Sequence, residues 1–365
     1  MFNKIVNFLA STKLALVLLT VIFLSSVVGV LLPRAIGKEA VFASLWFNFL
    51  LVLLIVNIVF CITKRTSVLR LSQTGTTIFH VGLVLLFVGV VYDQLFYFEG
   101  AIRLTEGETL NCGERASWDR IKMGSFFRIS KLNELGPLYF HKLHVAYREE
   151  GKYRGEAVEL AVGEDVQQGR RRIIYTPHPL KYNGFEFYRD KNDGFSPLFV
   201  LRDMKGKVLY GAYAPLQSIP QKDGTYLYRS GRASAPGSFG FPQDPELPRV
   251  FNLQTTYYPD KMKHMTGKVS FQIWKALPDG NSSEELYNGK AAFGERVRAG
   301  DYTLSMDEVR YWTNINVTYR PGLGLIFGSF WIAFGGLILN VILKTATRAR
   351  KESVVTSPNS EGISS

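Results

Sequence analysis

Cysteine is nearly absent from this chain: 365 residues hold two, Cys61 and Cys112. That excludes a disulfide scaffold, a Cys-ligated iron–sulfur protein and a zinc site built on four cysteines. No Cys-x-x-Cys-His occurs, so the chain carries no covalent c-type haem by the usual attachment motif. Also missing are Gly-x-Ser-x-Gly, His-Glu-x-x-His, a phosphate loop and a dinucleotide fingerprint, and with them the reactions those motifs announce. Charge is scarce as well. Only 20% of residues are charged, against about a quarter in ordinary soluble domains.

What replaces the charge is apolar sequence, 47% of the chain, with a mean hydropathy of +0.04. It is gathered into four runs, about 14–32, 41–63, 76–97 and 321–343. Each approaches the roughly 20 residues needed to cross about 30 Å of hydrocarbon. A disordered chain, a purely soluble enzyme and a compact many-helix transporter are excluded by this pattern. The first run is too long for a signal peptide, a second follows closely, and no Ala-x-Ala site precedes Pro33. The sequence thus predicts three transmembrane helices in residues 1–98, a large domain in 99–320, a fourth transmembrane helix at 321–343 and a disordered Ser-rich tail at 344–365.

Orientation follows from lysine and arginine. Lys4 and Lys13 precede the first run, Lys64, Arg65 and Arg70 join the second to the third, and Lys344, Arg348, Arg350 and Lys351 follow the fourth. Basic residues near span ends resist translocation, so these segments are expected on the cytoplasmic side. Residues 99–320 are then expected on the outer face. They carry 32 basic and 27 acidic residues, a net of +5, so much of the formal +12 is positive-inside anchoring. No basic patch interleaved with aromatics points to nucleic acid.

Within 99–320 the hydrophobic period is two more often than 3.6. Short strand-like runs stand at Phe126–Ile129, Leu143–Tyr147, Ala157–Ala161, Arg172–Tyr175, Phe185–Tyr188, Leu198–Leu201, Val208–Tyr213, Tyr226–Tyr228, Val269–Lys275 and Tyr302–Val309. Asn192-Asp193-Gly194 and Lys205-Gly206-Lys207 read as turns between neighbours. The expected fold is an antiparallel, sandwich-like all-β domain, with residues 214–263 as a long insertion or lid.

Few residues in this region promise chemistry. Cys112 reads as a buried small residue, a partner for another protein's thiol, or a ligand. His141 and His144, three apart on a strand, are expected on opposite faces, which disfavours a shared metal. His178, between two prolines, reads as a turn residue, and His264 lies in a basic stretch. His80 differs. An ionisable group near the end of an apolar span needs a partner or a function. It shares a helical stripe with Val84, Phe87 and Val91, a face suited to a flat macrocycle or to lipid. Glycines at 82, 89, 324, 328, 335 and 336 allow close approach of helices or leave room for a bulky partner.

Phe8-Leu-Ala-Ser-Thr-Lys-Leu-Ala-Leu-Val with Val28-Gly-Val-Leu-Leu-Pro33 resembles the first span of the ResB (CcsB) family. Leu45-Trp-Phe-Asn-Phe and Asn57-Ile-Val-Phe-Cys-Ile-Thr-Lys-Arg65 are similar to its second span and basic exit, and His80-Val-Gly-Leu-Val-Leu-Leu-Phe-Val-Gly89 to its third. Glu99-Gly100 with Thr105-Glu-Gly-Glu108, Pro177-His-Pro-Leu-Lys-Tyr-Asn-Gly184 with Phe187-Tyr188, and Pro321-Gly-Leu-Gly324 complete an ordered set over nearly the whole chain. Arg320 departs from the pattern, standing where members often carry an acidic residue. The resemblance implies one subunit of system II cytochrome c biogenesis in a bacterial cytoplasmic membrane. Such a subunit is not an enzyme alone. It works with a Trp-rich multispan partner of the ResC (CcsA) type to attach haem b to exported apocytochromes c at Cys-x-x-Cys-His. The five tryptophans here are scattered, so the chain resembles the companion subunit. By the same resemblance His80 is an axial ligand to haem iron, the opposing ligand coming from the partner, with Cys112 a minor candidate for contact with haem or substrate thiols. The β domain is then expected to hold the apocytochrome segment by strand addition. The competing reading is a cofactor-free, membrane-anchored β-domain scaffold or chaperone for exported polypeptides, which would not need an imidazole in an apolar span. A membrane-bound hydrolase is disfavoured by the missing nucleophile motif.

Overall fold

The computed structural model describes residues 2–33, 38–42, 44–65, 73–232, 235–260, 265–277 and 282–355. They form two compact units. One gathers the chain up to Phe98, Met123–Phe127 and the stretch from Tyr319 onward; the other holds Glu99–Lys122 and Arg128–Thr318.

The first unit is helical. A short amphipathic helix, α1 (Phe2–Leu9), is followed by α2 (Thr12–Leu31), α3 (Leu45–Arg65), α4 (Thr74–Phe96) and α5 (Leu323–Val355). The last four are long and apolar enough to cross a membrane. The chain is therefore a membrane protein with four candidate transmembrane helices. α3 starts at Leu45 because Ser44 caps it, its Oγ accepting the Phe47 N–H at 3.3 Å. α5 runs on to Val355, so residues 344–355 are helical where the sequence reading expected a disordered tail. Lys, Arg, Ala and Glu are good helix formers, and no Gly or Pro falls in that stretch. Residues 356–365 of the expected tail lie outside the described residues.

α4 and α5 meet through glycine. A Cβ on Gly82 would lie 2.5 Å from the Ala333 nitrogen, and one on Gly336 would lie 2.4 Å from that of Phe79. Only a missing side chain permits backbones that close. At one end of the seam Asp93, 1% exposed, accepts from Arg320 Nε at 2.7 Å and from the Gly322 N–H at 3.2 Å. Arg320 thus has a partner of its own. At the other end the Thr76 hydroxyl bonds Asn340 Oδ1 at 3.0 Å. The Phe126–Ile129 run is not a strand. Its backbone turns back onto the helical unit, with Phe126 N–H donating to Leu95 O at 2.9 Å, and Phe127 stacks on Phe98 at 5.1 Å. Phe127 is spent on packing rather than on a ladder, while Phe126 stays 60% exposed.

The second unit is all-β. A seven-stranded sheet takes β1 (Phe98–Thr105), β3 (Arg120–Met123), β7 (Leu180–Tyr182), β8 (Phe185–Asp203), β9 (Val208–Tyr213), β18 (Arg296–Ala299) and β19 (Tyr302–Tyr319). A four-stranded sheet orders β2 (Thr109–Asn111), β4 (Pro137–Glu149), β5 (Lys152–Val162) and β6 (Arg172–Ile174). A six-stranded sheet holds β10 (Gln217–Pro220), β11 (Tyr226–Arg229), β14 (Phe239–Phe241), β15 (Phe251–Pro259), β16 (Gly267–Ala276) and β17 (Ser282–Ala292), and β12 (Gly231–Arg232) pairs β13 (Ala235–Pro236). The expected insertion at 214–263 is therefore not a lid: its described residues supply most of a sheet. β8 runs straight through Asn192-Asp193-Gly194, the expected turn. There Asp193 pairs with Arg189 and Gly194 is buried beside the Trp312 indole, so tertiary contacts override a local turn signal.

The seven- and six-stranded sheets face one another as a sandwich. Phe199 and Leu201 of β8 and Leu304 and Met306 of β19 meet Phe251, Leu253, Val269, Phe271 and Ile273 of β15 and β16 in one buried cluster. Phe199 and Phe271 touch edge to face at 5.2 Å. Each such side chain is worth about 1.5–3 kcal/mol by burial, and the alternation Val269, Phe271, Ile273 is the period-two signal read from sequence.

Candidate functional site

His80 projects from the first half of α4. Its Nδ1 lies 2.7 Å from the carbonyl oxygen of Thr76, one turn earlier. A carbonyl only accepts, so Nδ1 carries a proton and donates, which leaves Nε2 as the ring nitrogen not used in this bond. Among the described residues nothing bonds Nε2. The ring sits edge to face against Phe79, centroids 5.4 Å apart.

His80 lines a cavity of about 340 Å³ among three helices. α2 contributes Thr12 and Ala15; α3 contributes Asn57, Ile58, Cys61 and Ile62; α4 contributes Thr76, Thr77 and His80, with Gln73 just ahead of it. Further along the expected stripe, Phe87 and Val91 pack against Val41, Phe47 and Leu51 rather than facing an open surface. That part of the stripe is partly covered, and the cavity lies at the His80 end.

Sequence reasoning singled out His80 but passed over its neighbours. Asn57 and Cys61 are four apart on α3, and Thr76 and His80 four apart on α4, so helical spacing alone puts each pair on one face. Asn57 is fully buried; its Nδ2 donates to the Leu9 and Ser11 carbonyls at 2.5 and 3.1 Å.

The other candidates lie in the β unit. Cys112 is fully buried, and burial pushes its thiol up to about 12. Its N–H donates to Gly136 O at 3.1 Å and its carbonyl accepts from Trp118 Nε1 at 2.8 Å. It sits as the buried small residue among its expected readings. The histidines of β4 depart from expectation. Register shifts between Phe140 and Lys142, where β4 bulges against β5, and Phe140 and Leu143 are both buried although three apart. The bulge reverses the alternation, so His141 and His144 share the other face. There Arg171 Nη1 donates to His141 Nε2 at 2.7 Å, and His144 Nε2 meets Glu159 Oε2 at 3.1 Å. Among the described residues no three His, Cys, Asp or Glu side chains gather closely enough to hold a metal ion. His178 closes a tight turn, its N–H donating to Tyr175 O at 2.5 Å. His264 lies outside the described residues.

Compared with protein-family models, residues 70–347 match the ResB-like family. The chain belongs to the ResB-like family. The match takes in α4, the whole β unit and most of α5, and so includes His80. A search of curated proteins finds no match. ResB-like proteins act in cytochrome c biogenesis as components rather than as enzymes alone, and this ResB-like chain takes that general role.

Proposed function

We propose that this chain is the subunit of a membrane haem-handling complex that delivers haem b for covalent attachment to exported c-type apocytochromes. The observation that carries the reading is the hydrogen bond of His80: a 2.7 Å bond from Nδ1 to Thr76 O orients the ring and leaves Nε2 unpartnered in a residue that lines a cavity. That is the donor a haem iron takes, already oriented by its second nitrogen. The wall fits the group chemically, mixing Ala15, Ile58 and Ile62 with an imidazole, a thiol and an amide. At about 340 Å³ the cavity is at the small end of cofactor sites, which suits a group covered in part by a second protein.

When bound, haem would supply the vinyl groups to which the apocytochrome thiols become joined as thioethers. His80 would hold it, with residues of α2, α3 and α4 forming the wall beside it. The partner in this reading is a Trp-rich multispan protein of the ResC (CcsA) type, offering the opposing ligand. Lys and Arg at the span ends support a bacterial cytoplasmic membrane with the β unit on the outer face, where Cys-x-x-Cys-His segments arrive. Cys112, deep inside that unit, plays no part in this scheme.

The test is a reduced-minus-oxidised spectrum of the chain purified from solubilised membranes with whatever copurifies. The expected result is a low-spin haem whose content falls at least tenfold in His80→Ala, with a matching loss of mature c-type cytochrome. Unchanged haem content in that variant defeats the assignment. A haem-free preparation with the partner present favours the cofactor-free scaffold.

A further inference from the structure

β2 is the end strand of the four-stranded sheet and pairs with β4 alone. Two bonds at its ends fix which backbone groups that pairing uses. Phe140 N–H donates to Glu108 O at 3.0 Å, and Cys112 N–H to Gly136 O at 3.1 Å. Antiparallel partners exchange bonds at every second residue, so 108, 110 and 112 turn toward β4 while Thr109 and Asn111 turn away. Opposite Asn111 stands Pro137, which has no N–H to give, in keeping with that alternation. The Thr109 N–H, the Thr109 carbonyl and the Asn111 N–H have no backbone partner among the described residues, and both residues are exposed.

That edge opens onto a trough. A cavity of about 650 Å³ reaches Glu108 and one of about 590 Å³ reaches Thr109 and Asn111, and the two share Leu110, Glu114 and Ser117. Gly107 in the first and Gly136 in the second add no side chain to narrow it. Its charged lining is acidic, with Glu106, Glu108, Glu114 and Asp119 against Arg103 and Arg310, although residues 99–320 carry a net of +5. Most of these charges are committed. Arg103 pairs with Asp119 at 3.2 Å and Arg310 with Glu308 at 2.7 Å, and the Glu106 oxygens take the N–H groups of Leu143 and Tyr311. Glu108 and Glu114 hold only neutral donors among the described residues, the Thr105 N–H and the Asn111 amide.

We propose that β2 is a docking edge for an extended polypeptide bearing a lysine or arginine, whose backbone adds as a strand outside β2 and whose cation enters the trough toward Glu108 and Glu114. Main-chain bonds to Thr109 and Asn111 give the affinity, and the two carboxylates without a cation give the selectivity. The site lies wholly in the β unit and uses none of the residues around His80, so it stands apart from the haem reading.

The experiment titrates the full chain in detergent with a short fluorescent peptide of alternating threonine and valine with one central lysine, followed by anisotropy. Wild type is expected to bind it at least tenfold more tightly than the same peptide with glutamate at the centre. Of two versions N-methylated at alternate residues, one for each edge of the peptide, only one is expected to lose binding. Thr109→Pro removes an outward N–H without touching the ladder to β4 and is expected to weaken binding at least tenfold. Glu108→Gln with Glu114→Gln is expected to abolish the preference for lysine. Amide exchange over residues 107–113 is expected to slow at least tenfold on binding, a readout that needs no variant to fold. Equal binding of both N-methylated peptides, or binding that leaves exchange over 107–113 unchanged, overturns strand addition at β2. Equal binding of the lysine and glutamate peptides overturns the cationic occupant. His80→Ala is expected to bind the peptide as wild type does.

Discussion

One hydrogen bond decides how His80 can be used. Because Thr76 O is an acceptor that occupies Nδ1, Nε2 is the one ring nitrogen left to meet another group. The sequence made the residue conspicuous by depth in an apolar run, and its bond to Thr76 lies within α4 itself; that Asn57 and Cys61 share a cavity with it could not be read there, since that depends on which helices lie side by side. Cys112 was legible only as alternatives; 0% exposure and a thiol pushed up to about 12 leave it unreactive at neutral pH. Cys112 is accordingly expected to resist maleimide in the folded chain and to label fully in denaturant, followed by mass spectrometry. Glu108 offers a pH test. Burial raises its carboxyl, against the pull of the Thr105 N–H that donates to it at 2.7 Å. A raised acid stabilises the fold below its unfolded pKa of about 4.3 and loses that contribution as pH rises through the folded value. Glu108→Gln keeps an acceptor for Thr105 and removes the charge. The variant is expected to melt higher than wild type near about pH 8, with the gain shrinking as pH falls toward the ordinary carboxylate range of about 4.

Among elements, the α4–α5 pair is the one whose contacts are most demanding. The glycines were visible in the sequence as small residues seven or four apart, but not which of them meet another helix: Gly82 and Gly336 do, whereas Gly324, Gly328 and Gly335 have open space. Gly82→Val is expected to cost about 1–3 kcal/mol by forcing the backbones apart, while Gly328→Val costs little, compared by thermal melts in detergent. The Asp93–Arg320 pair belongs to the same seam. Removing Arg320 leaves a carboxylate at 2% side-chain exposure with one N–H for company, an expected loss of about 3–5 kcal/mol. Arg320→Ala combined with Asp93→Ala should cost less than Arg320→Ala alone, and a double-mutant cycle measures the difference. β4 shows where period-two reading fails. One extra residue at the bulge moved two histidines onto one face, and nothing in the local composition announced it.

For the whole molecule, four apolar spans and an all-β unit were legible because length and period are carried by the residues themselves. Strand order was not. β1 joins β19 across the chain, a pairing set by long-range burial rather than by neighbours in sequence. The shared core of the two large sheets makes the β unit's stability a single quantity. Phe271→Ala, at its centre, is expected to cost about 3–5 kcal/mol and to raise amide exchange across both sheets together, not in β16 alone.

β8 and β19 are 19 and 18 residues long and lie side by side. At about 3.3 Å per residue each spans on the order of 60 Å, the length of a small beam rather than of an ordinary strand. β8 carries Gly194 and Pro197 near its middle, residues that weaken or interrupt a ladder, so the long pair is expected to behave as two stiff arms that bend at that point rather than as one rigid bar.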